Sequence, residues 1–278
     1  MSDLTLLEKP TEQSVLDVLK ARFLACGQIY TAMNAMLLAV NPCAPVAGLY
    51  AEDLLQRYIG GEPDLPPHVF RTGARVYEGV ASGRCQSVVI SGESGAGKTE
   101  TFKRVMQFIS AAAAARAGRP AELSSGAARK TVEQLLVETV PVLESYGNAA
   151  TVHNPDSSRF GKFVMLHFTD GGNLAGVVVK TYLLETSRAV RVGHGERGFH
   201  IFYELLASRD AELLKDLQLD PLPHTRFLPT ASATAAATTS TTSSTATATA
   251  TSTSSASSES GHYIISLLYF IVKSEAVL

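Results

Sequence analysis

The sequence predicts an α/β fold in which a largely parallel or mixed sheet is flanked by helices. Residues 88–90 are Val-Val-Ile, a short β-branched run between polar residues, which is typical of a central strand. The next segment, 91–97, contains three glycines, as expected of a tight loop. After this loop, apolar residues recur at the spacing of one helix face: Phe102, Val105, Met106 and Ile109. A strand, a glycine-rich loop and a helix in this order favour an α/β architecture.

Before this strand, apolar residues at helical spacing predict a helix over 14–23. The apolar run 35–40 predicts a buried strand, which ends where an Asn-Pro pair begins a loop. Two further helices are predicted, around 54–58 and over 69–81.

After the glycine-rich loop, the helical pattern continues to residue 115. Residues 116–128 are rich in Gly, Ser and Ala and predict an exposed loop. The apolar runs 163–168 and 175–182 flank an Asp-Gly-Gly-Asn sequence and therefore predict a β-hairpin. Two more helices are predicted, over 132–143 and 199–206.

Composition narrows the class of protein. The 278 residues are 45% hydrophobic and 18% charged, which are globular values. The net charge of -2 gives no support for nucleic-acid binding. The three cysteines have no paired spacing and suit a reducing compartment. The first residues lack a signal peptide, and the apolar run 263–272 is too short to span a membrane. We therefore expect a cytoplasmic protein with no membrane span.

Residues 230–258 consist only of Thr, Ala and Ser. Such a tract has no large apolar side chain to offset the entropy of ordering, so it is predicted to be a disordered insertion. A surface-loop insertion and an artefact of how the coding sequence was assembled both explain it, and composition does not decide between them. Residues 259–278 are interpreted as a divergent C-terminal remnant.

The glycine-rich loop matches the pattern G-x-x-x-x-G-K-[ST] over residues 92–99. Glycines let backbone N–H groups turn inward around phosphate oxygens, and the N-terminus of the following helix adds its positive dipole end. The pattern therefore predicts a P-loop, and with it a P-loop NTPase-type sheet. The predicted nucleotide contacts are Gly92, Glu93, Ser94, Gly95, Ala96, Gly97, Lys98 and Thr99. Lys98 is expected to reach the β- and γ-phosphates and Thr99 to ligate Mg²⁺.

A second polar loop, 154–162, contains two adjacent serines beside an arginine and leads into a predicted strand. Such residues can supply a second Mg²⁺ ligand and a hydroxyl that orients water for phosphoryl transfer. From the residues alone, an ordinary polar loop is the favoured interpretation of this segment.

The two loops together, GESGAGKTET and NPDSSRFGKF, resemble the P-loop and switch I of the myosin motor head. Other segments resemble this family in the same order: PHVF with a later tyrosine (67–77), PVLESYGN (141–148), YLLETSR (182–188) and GERGFHIFYELL (195–206). The resemblance covers roughly residues 3–228, so 1–229 is interpreted as the N-terminal part of a motor head.

The resemblance implies an ATPase that uses Mg²⁺ and acts with actin filaments on the cytoskeleton. It implies that Ser157 orients the attacking water or relays its proton, while Ser158 joins Thr99 on the Mg²⁺ ion. Lys98 would clamp the phosphates. Arg159 would form the salt bridge that closes the site, with a glutamate of switch II as its partner.

The same resemblance implies that Asn154 contacts the phosphates and that Asn41, Pro42 and Tyr50 hold the purine. The chain departs from the family in three places. Cys43 replaces an aromatic residue in a purine loop that is about one residue longer than usual, and Pro155 stiffens the second loop. Moreover, no Asp is followed three residues later by Gly, so the Asp-x-x-Gly-Phe-Glu of switch II is missing.

Two functions from different classes follow. One is the ATP-binding part of an actin-based motor, cut short before switch II. The alternative is a nucleotide-binding fragment or module without hydrolysis or motor activity. A P-loop small-molecule kinase would need an acceptor site and a lid, which the sequence does not indicate.

Overall fold

The computed structural model describes residues 2–118, 132–208, 210–219, 245–252 and 263–269. Within these ranges, the helices are α1 (Glu12–Lys20), α2 (Glu52–Ile59), α3 (Val69–Ala81), α4 (Lys98–Arg116), α5 (Val132–Gly147), α6 (His200–Ala207) and α7 (Ala211–Asp216). The strands are β1 (Tyr30–Met33), β2 (Met36–Val40), β3 (Gln86–Ser91), β4 (Asn148–Ala149), β5 (Ser157–Ser158), β6 (Gly161–Phe168), β7 (Leu174–Tyr182), β8 (Thr245–Ser252) and β9 (Tyr263–Tyr269). Short 3-10 helices cover Leu4–Leu6 and Thr186–Ala189.

The chain divides into two compact units. The first unit contains residues 1–137, 162–180 and 243–278, and the second contains 138–161 and 181–242. None of the described helices is both long and apolar enough to pass through a bilayer.

The first unit is built on a seven-stranded sheet in the order β1-β2-β8-β3-β9-β6-β7. Strand β3 pairs parallel with β9, whereas β1–β2, β2–β8, β3–β8 and β6–β9 are antiparallel. The α/β fold and the mixed sheet predicted from the sequence are confirmed. Strand β3 alternates in burial, with Val88 and Ile90 almost fully buried, so this strand runs through the core.

The structure differs from the expectation of disorder over Thr245–Ser252, which forms β8. Its register runs from Val40↔Thr245 to Met36↔Thr249 on one side and from Ser91↔Thr247 to Gln86↔Ser252 on the other. The backbone edges of β2 and β3 need hydrogen-bond partners, and threonine is β-branched and favours extended backbone. The composition of the tract does not predict this strand, because β8 is stabilised by its pairing with the neighbouring strands β2 and β3. The rest of the tract 230–258 lies outside the described residues.

Helices α3 and α4 pack against each other in the first unit through fully buried aromatic and aliphatic side chains. The Phe70 and Phe108 rings lie 5.9 Å apart, and both side chains are at most 1% exposed. Val105 and Ile109 of α4 are completely buried, as their helical spacing predicts. The core therefore holds α4 in place, and α4 begins directly after the predicted P-loop.

Gly73 lets α3 approach α4 closely. A Cβ atom at this position would lie 2.8 Å from Cδ1 and 2.9 Å from Cβ of Phe108, which is buried and cannot move away. We expect Gly73→Ala to lower the free energy of unfolding by about 1–3 kcal/mol through overpacking, despite the helix propensity of alanine. Urea denaturation measures the change. The control is Gly176→Ala on β7, where a Cβ meets no atom within 4 Å; equal effects of the two substitutions would contradict the packing argument.

The second unit contains the short antiparallel pair β4–β5, with Asn148 opposite Ser158 and Ala149 opposite Ser157. The second predicted loop, 154–162, begins between these strands, runs through β5 and reaches the start of β6, with Arg159 directly after β5. Ala149 also forms an isolated bridge with Phe199, just before α6. Helix α5 continues through Pro141 to Gly147, four residues beyond its predicted end.

Candidate functional site

The loop between β3 and α4 turns tightly through residues with left-handed backbone, a geometry that can surround an anion. Gly95 and Gly97 have φ angles of 80° and 91°, in the left-handed region where side chains with a Cβ are strained. The Ala96 N–H donates to the Glu93 carbonyl at 3.1 Å and closes a turn. Gly97 is the N-cap of α4 and has no side chain to cap it. A helix N-terminus without a capping side chain can receive an anionic ligand at its positive dipole end.

The Lys98 side chain lies inside this loop and is 5% exposed. Its Nζ donates hydrogen bonds to the carbonyl oxygens of Gly92 and Glu93, both at 2.7 Å. Burial lowers the pKa of the Lys98 ammonium to about 8, with a smaller opposing effect from the Glu93 carboxylate. A buried cation held by neutral carbonyls fits an anionic ligand, because phosphate oxygens are stronger acceptors than carbonyls.

The predicted purine loop is fastened to the predicted P-loop. The Asn41 side-chain amide donates through Nδ2 to the Gly95 carbonyl at 2.6 Å, while its Oδ1 accepts from the Cys43 N–H at 2.9 Å. Cys43 itself has a φ angle of 54° and is exposed. The departure at Cys43 is thus accommodated as a turn that the Asn41 side chain closes.

A cavity of about 690 Å³ lies between these two loops, within the first unit. Residues that line it include Tyr30, Pro42, Tyr50, Gly97, Glu100 and Arg104. Asn41 lines it as well, so the three residues predicted to hold the purine and part of the P-loop share one cavity. Its volume is within the usual range of small-molecule sites.

Three cavity residues, Tyr30, Glu100 and Arg104, are not among the site residues predicted from the sequence. Glu100 and Arg104 are four residues apart on the helix that follows the predicted P-loop. This spacing could have predicted that they form an ion pair on one face of the helix. Nothing local marks Tyr30, which reaches the cavity because β1 pairs with β2.

His68 supports the far end of the purine loop. Its Nδ1 accepts from the Phe70 N–H at 3.1 Å, so Nε2 carries the proton and donates to the Leu49 carbonyl at 3.0 Å. Burial lowers the pKa of His68 to about 4, which keeps the ring neutral at physiological pH. Leu49 is thereby held next to Tyr50.

The serine-arginine loop belongs to the second unit. Ser157 is 1% exposed, and its Oγ accepts from Nη1 of Arg159 at 3.2 Å. Ser158 lies beside it on β5 and is partly buried. The structure therefore brings Ser157, Ser158 and Arg159 together, whereas Lys98 and Thr99 lie in the first unit.

Asn154 has a structural contact within its own loop. Its Oδ1 accepts from the Asp156 N–H at 2.9 Å, and its carbonyl accepts from the Thr151 N–H at 2.9 Å. The Asp156 carboxylate in turn accepts from Nδ2 of Asn148 at 2.8 Å and lies 3.2 Å from Nε2 of His200. The loop is thus closed on itself around Pro155.

Arg159 pairs with Glu185, where the resemblance implied a glutamate of switch II. Its Nε lies 2.5 Å from Oε2 of Glu185, and the same oxygen accepts from Nε of Arg188 at 2.9 Å. Burial alone would raise the pKa of Glu185, but hydrogen bonds from both arginines outweigh it and lower that pKa. Arg188 also pairs with Glu196 at 2.8 Å and is itself 5% exposed. The four side chains form one ion-pair chain.

Residues 1–275 of the chain match the protein family described as Myosin head (motor domain). Among curated proteins, the chain is 45% identical over 221 residues to Protein OPAQUE1 of Zea mays. It is 41% identical over 222 residues to Myosin ID heavy chain of Dictyostelium discoideum and 40% identical over 235 residues to Myosin-14 of Mus musculus.

These three matches cover 77%, 79% and 82% of the chain, but 14%, 19% and 12% of the relatives. The chain thus spans a small part of the length of the curated relatives that it matches. The family description, in contrast, matches nearly every residue of the chain. The chain belongs to the myosin head (motor domain) family.

Proposed function

We propose that this chain is the ATP-binding part of an actin-based motor, with a P-loop NTPase-type site between β3 and α4. In the complete head, ATP hydrolysis would be coupled to movement along actin filaments in the cytoplasm. The observation that carries the ATP-binding proposal is Lys98, a buried cation held inside a glycine loop by two carbonyls at 2.7 Å. The cavity beside it supplies room for a nucleoside.

We assign each group of the nucleotide to residues of the first unit. Lys98 would exchange its carbonyl acceptors for phosphate oxygens, and the first turn of α4 would donate N–H groups to them. The Thr99 hydroxyl, in the same turn, would hold Mg²⁺. Bound Mg²⁺ supplies a Lewis acid that neutralises charge on the phosphates. Asn41, Pro42 and Tyr50 would enclose the base.

For the second unit, we propose the roles that the family resemblance implies. Ser157 would orient water, Ser158 would be a second Mg²⁺ ligand and Arg159 would stabilise the closed loop. The support is local: the Arg159 guanidinium already holds the Ser157 hydroxyl at 3.2 Å. Asn154 would contact the phosphates from the same loop.

Calorimetric titration of the chain with Mg·ATP tests the proposal. We expect saturable binding at one site, weakened when Mg²⁺ is chelated. Thr99→Val removes the proposed Mg²⁺ ligand and should reduce affinity only when Mg²⁺ is present. The control is Ser110→Ala, which removes a hydroxyl farther along α4. A chain that folds but gives no heat of binding with Mg·ATP would overturn the proposed function.

The affinity should also depend on pH through Lys98. Because the pKa of Lys98 is about 8 without nucleotide, the ammonium loses its proton as the pH rises through this value. Phosphates favour the charged form, so binding above this pH must take up a proton. We expect nearly constant affinity between about pH 7 and 8, then a fall of up to about tenfold per pH unit. Titrations in two buffers with different ionisation heats measure the affinity and the proton uptake. The absence of both effects at about pH 9 would contradict this assignment.

A further inference from the structure

Arg104 is held rigidly by its own helix. It lies on α4, six residues after Lys98. Its Nε and Nη2 lie 2.7 and 2.6 Å from Oε1 of Glu100, and its Nη1 donates to Oε1 of Gln107 at 2.9 Å. Glu100 lies one turn before Arg104 and Gln107 one turn after, and together they fix the plane of the guanidinium. A lysine ammonium is a point charge and has no plane that such partners could fix.

The guanidinium carbon of Arg104 lies 4.0 Å from the centre of the Tyr50 ring. This distance is well within the range of a cation–π contact. The hydroxyl of Tyr50 is hydrogen-bonded to that of Tyr30 at 2.8 Å, and Tyr30 is only 4% exposed. Tyr50 is therefore held at its face by α4 and at its tip by β1.

This arrangement links the two halves of the proposed nucleotide site. The first turn of α4 carries Lys98 and Thr99 of the phosphate loop, and its second turn carries Arg104. The loop that contains Tyr50 is joined to the phosphate loop at its start, where Asn41 donates to the Gly95 carbonyl, whereas Tyr50 lies nine residues later. Arg104 anchors Tyr50 itself, and both residues line the same cavity as Glu100.

We propose that Arg104 is a positioning residue that fixes Tyr50 as a wall of the base cavity, at a set distance from the phosphate loop. It thereby makes the site favour a purine nucleotide over an inorganic polyphosphate. This inference rests on the proposed ATP-binding function. An exposed Glu–Arg pair four residues apart is common on helices and stabilises little. The face contact with Tyr50 is what separates Arg104 from such a pair.

The test compares two ligands, Mg·ATP and Mg-tripolyphosphate, by calorimetry. Arg104→Met keeps the length of the side chain and removes the guanidinium. We expect about tenfold weaker binding of Mg·ATP and binding of Mg-tripolyphosphate within about twofold of the original chain. Arg104→Lys keeps the charge but loses the fork, so it should rescue the ATP affinity only in part. The matched control is Lys103→Met, at the preceding position on α4, which should change the affinity for neither ligand.

A second variant covers the case in which Arg104→Met does not fold, as judged by circular dichroism. Tyr50→Phe keeps the ring and removes the hydrogen bond to Tyr30. It should also weaken the binding of Mg·ATP without affecting the binding of Mg-tripolyphosphate. If the variants weaken both ligands equally, Arg104 acts as a charge near the phosphates and the inference is wrong. Unchanged affinity for Mg·ATP in Arg104→Lys and Tyr50→Phe would also overturn it. If the original chain binds neither ligand, the proposed function itself fails.

Discussion

Lys98→Ala is expected to abolish measurable Mg·ATP binding. Lys98 is 5% exposed and its ammonium is positioned by two loop carbonyls, so the side chain loses little entropy when phosphate oxygens replace them. Each hydrogen bond between charged partners contributes about 1.5–3 kcal/mol, and alanine removes at least two of them. We therefore expect affinity to fall by roughly a hundredfold or more.

Calorimetry with Mg·ATP measures this loss, and circular dichroism checks that the variant is folded. Lys103→Ala removes a second cation from the same helix, five residues later, and should leave the affinity within about twofold. Unchanged affinity in Lys98→Ala would show that the glycine loop does not bind the phosphates. Equal losses in both variants would indicate a general charge effect.

Arg188→Ala is expected to have the largest effect on stability in the second unit. Arg188 is 5% exposed and pairs with both Glu185 and Glu196, and its Nη1 donates to the Arg197 carbonyl at 3.1 Å. Removing Arg188 takes away the arginine that pairs with Glu196 and leaves Glu185 with Arg159 alone; breaking a buried ion pair in this way costs about 3–5 kcal/mol. Glu185 also holds Arg159, so the effect should extend to the serine-arginine loop.

Hydrogen exchange measured by mass spectrometry can locate this effect. We expect faster exchange over residues 157–161 and 183–198 in Arg188→Ala. The matched control is Arg191→Ala, an exposed arginine three residues later, which should exchange like the original chain. Unchanged exchange in Arg188→Ala would mean that Glu185 and Glu196 find other partners or water at little cost.

Several parts of the fold could be predicted because they depend on nearby residues. Helix α3 has the predicted bounds, 69–81, since a proline pair and an N-cap precede it directly and an amphipathic repeat runs along it. The hairpin β6–β7 formed around its Asp-Gly-Gly-Asn turn. In contrast, β1 is four residues long and β4 and β5 have two each, too short for any periodicity to be visible.

Partner choice among charged residues was predicted less well. Glu196 and Arg197 are adjacent in the sequence and carry opposite charges. In the structure, Glu196 pairs with Arg188, while the Arg197 guanidinium lies 3.8 Å from the Tyr203 ring centre. Likewise, Arg159 pairs with Glu185, 26 residues away. Side chains that are adjacent in a chain often point apart, so partners are decided by which segments pack together.

By itself, the sequence determined the strand, glycine-rich loop and helix around residues 88–115, because these segments are contiguous and set their own backbone conformation. It also determined the family, since ordered segments along most of the chain carry the resemblance. Only the tertiary structure decided that Asn41 joins Gly95, that Arg104 covers Tyr50 and that β8 lies between β2 and β3. These contacts join residues that are distant in the chain, and their free energy comes from burial and hydrogen bonds that exist only once the segments have packed.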